Sequence, residues 1–136
     1  MDNSTSRGVI FLITNEENRF LLEQRDGNSK LSKWSWVFPG GGRDEGEEPL
    51  QTVLREVKEE FGINLNPKEC KKIGTAITHS GKGINEIWHC PLKDTPKPLV
   101  ISESAGAGWF TFKEIKKMDL GYNQVKLIMS ILLDKF

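Results

Sequence analysis

Three glutamates in the middle of the sequence have the spacing of metal ligands on a helix. Glu56, Glu59 and Glu60 stand at positions i, i+3 and i+4, and this spacing stacks side chains along one helical face. Three carboxylates this close repel one another, whereas Mg²⁺ and Mn²⁺ prefer oxygen ligands and bridge carboxylates to substrate phosphates. The alternative is a solvated acidic helix face, and the residues around the glutamates distinguish the two interpretations.

The flanking residues predict the helix that must position these carboxylates. Apolar residues recur at i, i+3, i+4, i+7 and i+11, which is typical of a helix with one buried face: Leu50, Val53, Leu54, Val57 and Phe61. We predict a helix over residues 48–61, with the three glutamates on the opposite face. Pro49 falls in the first turn, where a missing N–H costs nothing, and Gly62 can adopt the left-handed conformation of a C-cap. Glu48, at the cap position, predicts a weak N-cap.

The glutamates also belong to a longer pattern of fixed spacing. In order, the pattern contains Gly41, Glu47, Arg55-Glu56-Val57, Glu59-Glu60 and Gly62-Ile63, separated by five, seven, one and one residues. This arrangement resembles the Nudix box, G-x5-E-x7-R-E-U-x-E-E-x-G-U with U apolar, and every specified position matches. Upstream residues match the L-L-x-x-R and W-x-[FL]-P-G-G segments that many Nudix proteins carry: Leu21, Leu22, Arg25, Trp36, Phe38, Pro39, Gly40 and Gly41.

The resemblance implies which residues bind the metal ion, expected to be Mg²⁺ or Mn²⁺. The expected ligands are the three box carboxylates, a backbone carbonyl and one carboxylate from outside the box: Glu56, Glu59, Glu60, Gly40 and Glu103. Glu103 lies six residues before Trp109, a spacing at which MutT-like relatives place a catalytic or metal-contacting glutamate. For Glu103 the alternative, a solvated loop carboxylate, stays open.

The resemblance also implies roles in catalysis and substrate binding. The expected catalytic residues are Glu56 or Glu103 as the general base, and Glu47 with Arg55 as an orienting pair. The expected substrate-binding residues are Arg25, His79 and Asn123. Each of the less specific candidates has a structural alternative. Arg55 can form a surface i,i+4 ion pair, His79 can face solvent at a strand end, and Asn123 is favoured as the N-cap of the last helix.

Alternating and continuous apolar runs predict strands on both sides of this helix. A strand buried on both faces is predicted over residues 8–13, and the other strands follow as residues 19–25, 34–38, 71–79, 84–92, 99–102 and 109–112. Residues 103–108 are predicted to form a small-residue loop, and a last helix is predicted over residues 123–133. The fold class is therefore α/β (α+β), and the resemblance implies a Nudix-type α/β/α sandwich with a mixed sheet between helices.

Length and composition limit the remaining possibilities. A chain of 136 residues is expected to form a single domain over residues 1–136, and its 19 basic and 19 acidic residues give no global field toward nucleic acid or membrane. Cys70 and Cys90 have no metal-like spacing and are expected to be reduced packing residues. Without a signal peptide or an apolar membrane span, the expected location is cytoplasmic. We expect a monomer or homodimer.

Taken together, these patterns predict a metal-dependent hydrolase of a nucleoside diphosphate linked to a further group. The favoured activity is that of a MutT-like nucleoside triphosphate pyrophosphohydrolase, which releases a nucleoside monophosphate and pyrophosphate. Its substrate is a nucleotide, and no nucleic acid polymer is required. The alternatives are a hydrolase of ADP-ribose, another nucleotide sugar or a dinucleoside polyphosphate, and a non-catalytic nucleotide-sensing module.

Overall fold

A computed structural model describes residues 6–27, 34–78, 80–95, 105–121 and 124–136. Within these ranges the strands are β1 Ser6–Thr14, β2 Phe20–Gln24, β3 Trp36–Val37, β4 Gly40–Gly42, β5 Lys71–Ile77, β6 Ile84–Pro91 and β7 Gly106–Phe110. The helices are α1 Pro49–Phe61, α2 Phe112–Ile115 and α3 Gln124–Lys135, with a 3₁₀ turn at Pro67–Glu69. None of the helices in the described ranges is long and apolar enough to cross a membrane.

The strands form one mixed sheet in the order β3-β2-β1-β6-β5, with β4 added to β1 and β7 added to β2. Strand β1 runs parallel to β6 and antiparallel to β2 and β4. Its central position explains its continuous apolar sequence, because a strand covered on both faces needs apolar side chains at every position. Residues 8–13 are all buried, as predicted.

Two apolar clusters lie on opposite faces of this sheet. Alternate residues of β1 enter different clusters: Val9 and Phe11 pack with Val57 of α1, whereas Ile10 and Leu12 pack with the residues of α2 and α3. On the second face the helices contribute Ile115, Ile128 and Leu132. Helices therefore cover both sides of a mixed sheet, and the predicted α/β/α sandwich is confirmed.

Two of the sequence-based strand predictions are wrong in their bounds. The strand predicted over residues 34–38 is confined to Trp36–Val37, because Trp34 has φ 62° and turns the backbone away. Part of the small-residue loop predicted over 103–108 is strand instead. Gly106, Ala107 and Gly108 pair with β2, and β7 ends at Phe110. The strand predicted over residues 99–102 lies outside the described residues.

Candidate active site

Helix α1 is fixed at both ends by interactions that the sequence encodes locally. Pro49 occupies its first turn, and the Glu48 N–H donates to Oε1 of Gln51 at 2.8 Å. Gly62 has φ 69° at the C-cap, a left-handed conformation that favours glycine. The Thr52 hydroxyl donates to Oε1 of Glu47 at 2.7 Å. The first turn of α1 is therefore secured by neighbouring side chains rather than by a Ser or Thr cap.

Glu47 and Arg55 form a bidentate ion pair across the first two turns of α1. Arg55 donates from Nε to Oε2 of Glu47 at 2.8 Å and from Nη2 to Oε1 at 2.9 Å. Glu47 also accepts from the backbone N–H of Asp44 and the Thr52 hydroxyl. The hydrogen bonds from Arg55 lower the pKa of Glu47 to about 2, and those to Glu47 raise the pKa of Arg55. The predicted orienting pair is present as a charged, geometrically fixed unit.

The same guanidinium connects the glycine strand β4 to the box carboxylates. Arg55 donates from Nη1 to Oε1 of Glu56 at 2.9 Å and from Nη2 to the carbonyl of Gly42 at 3.1 Å. Its Nη1 is 3.4 Å from Oε2 of Glu59, the predicted i,i+4 contact. Arg55 is only 26% exposed and Glu56 16%, compared with 53% for Glu59. The contact with Glu59 is therefore the weak, solvated part of a mostly buried network.

This network carries more negative than positive charge. Among the described residues, four carboxylates lie 2.8–3.4 Å from the Arg55 guanidinium: Asp44, Glu47, Glu56 and Glu59. A second cation, Arg43, donates to the backbone carbonyl of Glu47. Two guanidinium groups do not balance four carboxylates. An anionic substrate is repelled from such a site unless a cation comes with it.

A cleft of about 360 Å³ opens beside this network. Its walls include Gly40, Gly41 and Gly42 of β4, together with Glu23 and Arg25. The other lining residues are Gly8, Val9, Ile10, Val37, Phe38, Ile77, Asn85 and Gln124. A Cβ on Gly41 would collide with the Glu56 side chain, so the absence of a side chain at position 41 lets α1 pack against the cleft wall.

Residues near the start of α3 complete the cleft, and sequence reasoning missed them. Gln124 is buried, and its Oε1 accepts from the Phe38 N–H at 2.7 Å while its Nε2 donates to the Phe38 carbonyl at 3.4 Å. Asn85 on β6 was also missed. A polar residue at the start of an apolar helix indicates a position such as that of Gln124, but the same pattern also fits its neighbour Asn123, which is the residue predicted from the sequence.

The predicted site residues have different positions in the structure. Gly40, the predicted carbonyl ligand, and Arg25, a predicted substrate-binding residue, both line the cleft, and the Arg25 N–H also donates to the Ser35 carbonyl at 2.9 Å. Glu60 does not share an exposed face with Glu59, because it is buried with 6% exposure. Three further candidates lie outside the described residues: Glu103, His79 and Asn123.

The position of Glu60 follows from helical spacing. It stands three residues after Val57 and seven after Val53, so it borders the apolar stripe instead of lying opposite to it. The expectation that all three carboxylates lie on the face opposite the apolar stripe is therefore wrong. Within the described ranges no three carboxylate, imidazole or thiol side chains are grouped closely enough to hold a metal ion.

The available donor atoms nevertheless fit a hard divalent cation. The box glutamates and the Gly40 carbonyl provide oxygen donors only, which is the preference of Mg²⁺ and Mn²⁺. The excess negative charge around Arg55 favours a cation in the same place. Arg55 now contacts both Glu56 and Glu59, and this contact keeps their carboxylates directed toward the guanidinium.

Solved structures with the same fold come from several organisms. The MutT protein from Methanosarcina mazei Go1 superposes with a TM-score of 0.76 at 24% sequence identity, over 93% of this chain and 92% of that one. The NUDIX domain of Shewanella oneidensis NrtR, solved with ADP ribose, gives a TM-score of 0.75 at 17% identity, over 97% and 88% of the two chains. At these identities the likeness shows a shared fold.

Sequence comparisons identify the family. An RNA pyrophosphohydrolase from Francisella tularensis subsp. mediasiatica (strain FSC147) is 39% identical over 105 residues, which are 77% of this chain and 59% of that protein. Nucleoside diphosphate-linked moiety X motif 6 from Xenopus laevis is 36% identical over 88 residues, 63% of this chain and 40% of that protein. This chain thus spans about half of these relatives' lengths. The NUDIX domain model matches residues 4–130, and the chain belongs to the NUDIX family.

Proposed function

We propose that this chain is a divalent-metal-dependent hydrolase that cleaves a phosphoanhydride bond in a nucleoside diphosphate linked to a further group. Family membership and relatives named as pyrophosphohydrolases support the reaction class. One structural observation carries the proposal for this chain. The Glu47–Arg55–Glu56 network is complete, and it lies against the glycine wall of the cleft.

The metal ion would be held by Glu56, Glu59, Glu60 and the Gly40 carbonyl, with Glu103 as a further candidate. When bound, such an ion neutralises phosphate charge and lowers the pKa of a water molecule. The protein residues have separate tasks. Glu47 anchors Arg55 through two hydrogen bonds, and Arg55 in turn fixes the direction of the Glu56 carboxylate.

The general base is proposed to be Glu56 or Glu103. Glu56 stands next to Gly41 at the cleft wall and accepts a hydrogen bond from Arg55 at 2.9 Å, which places its carboxylate beside the cleft. Glu56→Gln and Glu103→Gln distinguish the two. If Glu103 is the base, Glu103→Gln lowers kcat strongly with little change in KM. Near-normal kcat in that variant assigns the base to Glu56.

The favoured substrate is a nucleoside triphosphate, cleaved to a nucleoside monophosphate and pyrophosphate. The cleft supports a nucleotide-sized ligand, since it offers apolar walls together with Arg25, Asn85 and Glu23 as groups that can orient a base or ribose. A triphosphate tail directed toward the Glu56 side of the cleft then reaches the acidic network.

A second candidate is the 5′-triphosphate end of an RNA chain. The observation that favours it is the 39% identity to a protein named RNA pyrophosphohydrolase. The two substrates share the same 5′-triphosphate group, so the same acidic network serves both. They differ on the 3′ side of the first nucleotide, where an RNA chain continues and must extend out of the cleft.

A substrate panel tests the proposal. Purified protein is incubated in Mg²⁺ or Mn²⁺ with the four ribo- and four deoxyribonucleoside triphosphates, a 5′-triphosphorylated oligoribonucleotide, ADP-ribose and a dinucleoside tetraphosphate, with excess chelator as control. We expect release of pyrophosphate from a triphosphate substrate in metal only. Binding of a nucleotide without turnover of any substrate would instead identify the non-catalytic sensing module.

A further inference from the structure

Two cysteines that the proposed hydrolase chemistry does not use are neighbours across two strands. In the antiparallel pairing of β5 with β6, Lys71 is opposite His89 and Lys72 is opposite Trp88. Cys70 directly precedes β5 and Cys90 follows His89 in β6, so continuing this register by one position places Cys70 opposite Cys90. Directly opposed residues of an antiparallel pair have Cα atoms about 4.5 or 5.5 Å apart, depending on the pair type. Both values fall within the range of Cα separations of about 4.4–6.8 Å that a disulfide requires.

The two side chains also point into the same place. Both belong to the apolar cluster beneath α1, and neither is disulfide-bonded. Cys90 is fully buried, whereas Cys70 keeps 8% of its surface exposed. The Cys70 thiol donates to the Asn66 carbonyl at 3.5 Å, and its interaction with the Cys90 thiol lowers the pKa of Cys70 and raises that of Cys90. The pair is therefore asymmetric: the more accessible sulfur is also the more easily ionised one.

We propose that Cys70 and Cys90 form an oxidative modification site, which closes to an intramolecular disulfide when hydrogen peroxide reaches Cys70. The sulfur of Cys70, as thiolate, attacks one peroxide oxygen. The O–O bond breaks, and Cys70 becomes a sulfenic acid while hydroxide leaves and is protonated to water.

The second step uses the opposing thiol. The Cys90 sulfur attacks the Cys70 sulfur, the S–O bond breaks, and a second water leaves with the proton of the Cys90 thiol. In total, two thiols are oxidised and one hydrogen peroxide is reduced to two waters. Because continuing the register places the two residues opposite each other, this step needs no change in the pairing of β5 with β6.

Peptide mapping by mass spectrometry tests the site. The full chain, reduced and folded, is treated with hydrogen peroxide, alkylated under denaturing conditions and digested. We expect a cross-linked peptide pair that contains Cys70 and Cys90, lacks two hydrogens relative to the separate peptides, and disappears after treatment with dithiothreitol. Mapping at peptide level separates this change from oxygen added to methionines.

Two variants test the order of events. In Cys90→Ala the resolving thiol is missing, so the sulfenic acid formed at Cys70 is expected to persist until a dimedone probe captures it or it is oxidised further. It is expected to form more slowly than in wild type, because the interaction that lowers the pKa of Cys70 is lost. In Cys70→Ala, Cys90 is expected to stay reduced at the same peroxide concentration, because it is fully buried and this burial raises the pKa of its thiol. If a variant does not fold, the wild-type mapping still answers the question.

Three results for the folded wild-type chain would overturn the proposal. These are two unmodified thiols at peroxide concentrations that oxidise its methionines, oxygen atoms added to Cys70 without a cross-link, and a disulfide between two chains. None of these outcomes depends on hydrolase activity, so this inference and the proposed function can fail independently.

Discussion

Arg55 contacts several polar groups of the described site at once, and these groups belong to different elements. It binds two oxygens of Glu47, one of Glu56 and the Gly42 carbonyl, and so joins the loop before α1 to the helix itself. A guanidinium can make these contacts together because its N–H groups diverge in one plane. An ammonium group at the end of a flexible side chain has no such fork.

The first prediction concerns this fork. Arg55→Lys keeps the charge but loses the bidentate bond to Glu47 and the simultaneous bonds to Glu56 and Gly42. We expect kcat to fall about 10- to 100-fold, the usual range for residues that orient metal ligands. Lys58→Arg, a matched exchange at an exposed position of the same helix, is the control. Steady-state kinetics would contradict the assigned role if both variants keep wild-type kcat.

The second prediction concerns the pH dependence of folding. The pKa of Glu47 is about 2 in the folded chain and 4.5 as the ordinary value, so its ion pair stabilises the fold above about pH 4.5. This contribution is lost as the pH falls through 4.5 toward 2, because the carboxylate must then be protonated. The free energy of unfolding of wild type should therefore exceed that of Glu47→Gln near pH 7, and the difference should shrink toward about pH 3.

Urea denaturation at several pH values measures this difference. Glu45→Gln, at an exposed position of the same loop, is the matched control. If the difference in the free energy of unfolding between wild type and Glu47→Gln stays constant from neutral to acidic pH, the carboxylate charge of Glu47 does not stabilise the fold.

Helix α3 influences the site through one side chain at its start. The amide of Gln124 pairs with both backbone groups of Phe38, as a neighbouring strand would, and Phe38 leads directly into Pro39 and the glycine strand β4. This contact fixes the cleft wall from the face of the sheet opposite to α1. The third prediction tests it.

Gln124→Leu keeps approximate size but leaves the buried Phe38 N–H without its acceptor. We expect a loss of about 1–3 kcal/mol in the free energy of unfolding, the cost of an unsatisfied buried donor. We also expect a higher KM, because Phe38 lines the cleft. Ser130→Leu, at an exposed position of the same helix, is the control for the added apolar side chain. If Gln124→Leu and Ser130→Leu have the same free energy of unfolding and the same KM, the contact between Gln124 and Phe38 does not support the cleft wall.

The elements around the site were predictable to different degrees. Helix α1, the β1–β2 and β5–β6 hairpins and the Glu47–Arg55 pair follow from residues close together in sequence or at fixed helical spacing. The Gln124–Phe38 contact joins residues 86 positions apart, so no local pattern indicates it. The burial of Glu60 was missed because its neighbours Glu56 and Glu59 suggested one common face. Strand β7 was misplaced because its glycines resemble a loop until they pair with β2.

In the molecule as a whole, the apolar core and the candidate active site occupy different places. Both apolar clusters are closed by helices on opposite faces of the sheet, whereas the acidic network lies at the start of α1 beside the cleft. The charge at this place suits a cation that arrives with an anionic substrate. We therefore propose that these carboxylates make hydrolysis depend on a divalent metal ion.

The most direct test compares wild type with Glu56→Gln on the best triphosphate from the panel, across a Mg²⁺ titration. Glu56→Gln keeps the size of the side chain and removes the charge of one proposed metal ligand. We expect wild type to release pyrophosphate only with Mg²⁺, and Glu56→Gln to be about 100-fold or more slower at saturating Mg²⁺ while it still folds. Wild-type turnover in excess chelator, or turnover by Glu56→Gln that equals wild type at limiting Mg²⁺, would contradict the metal dependence.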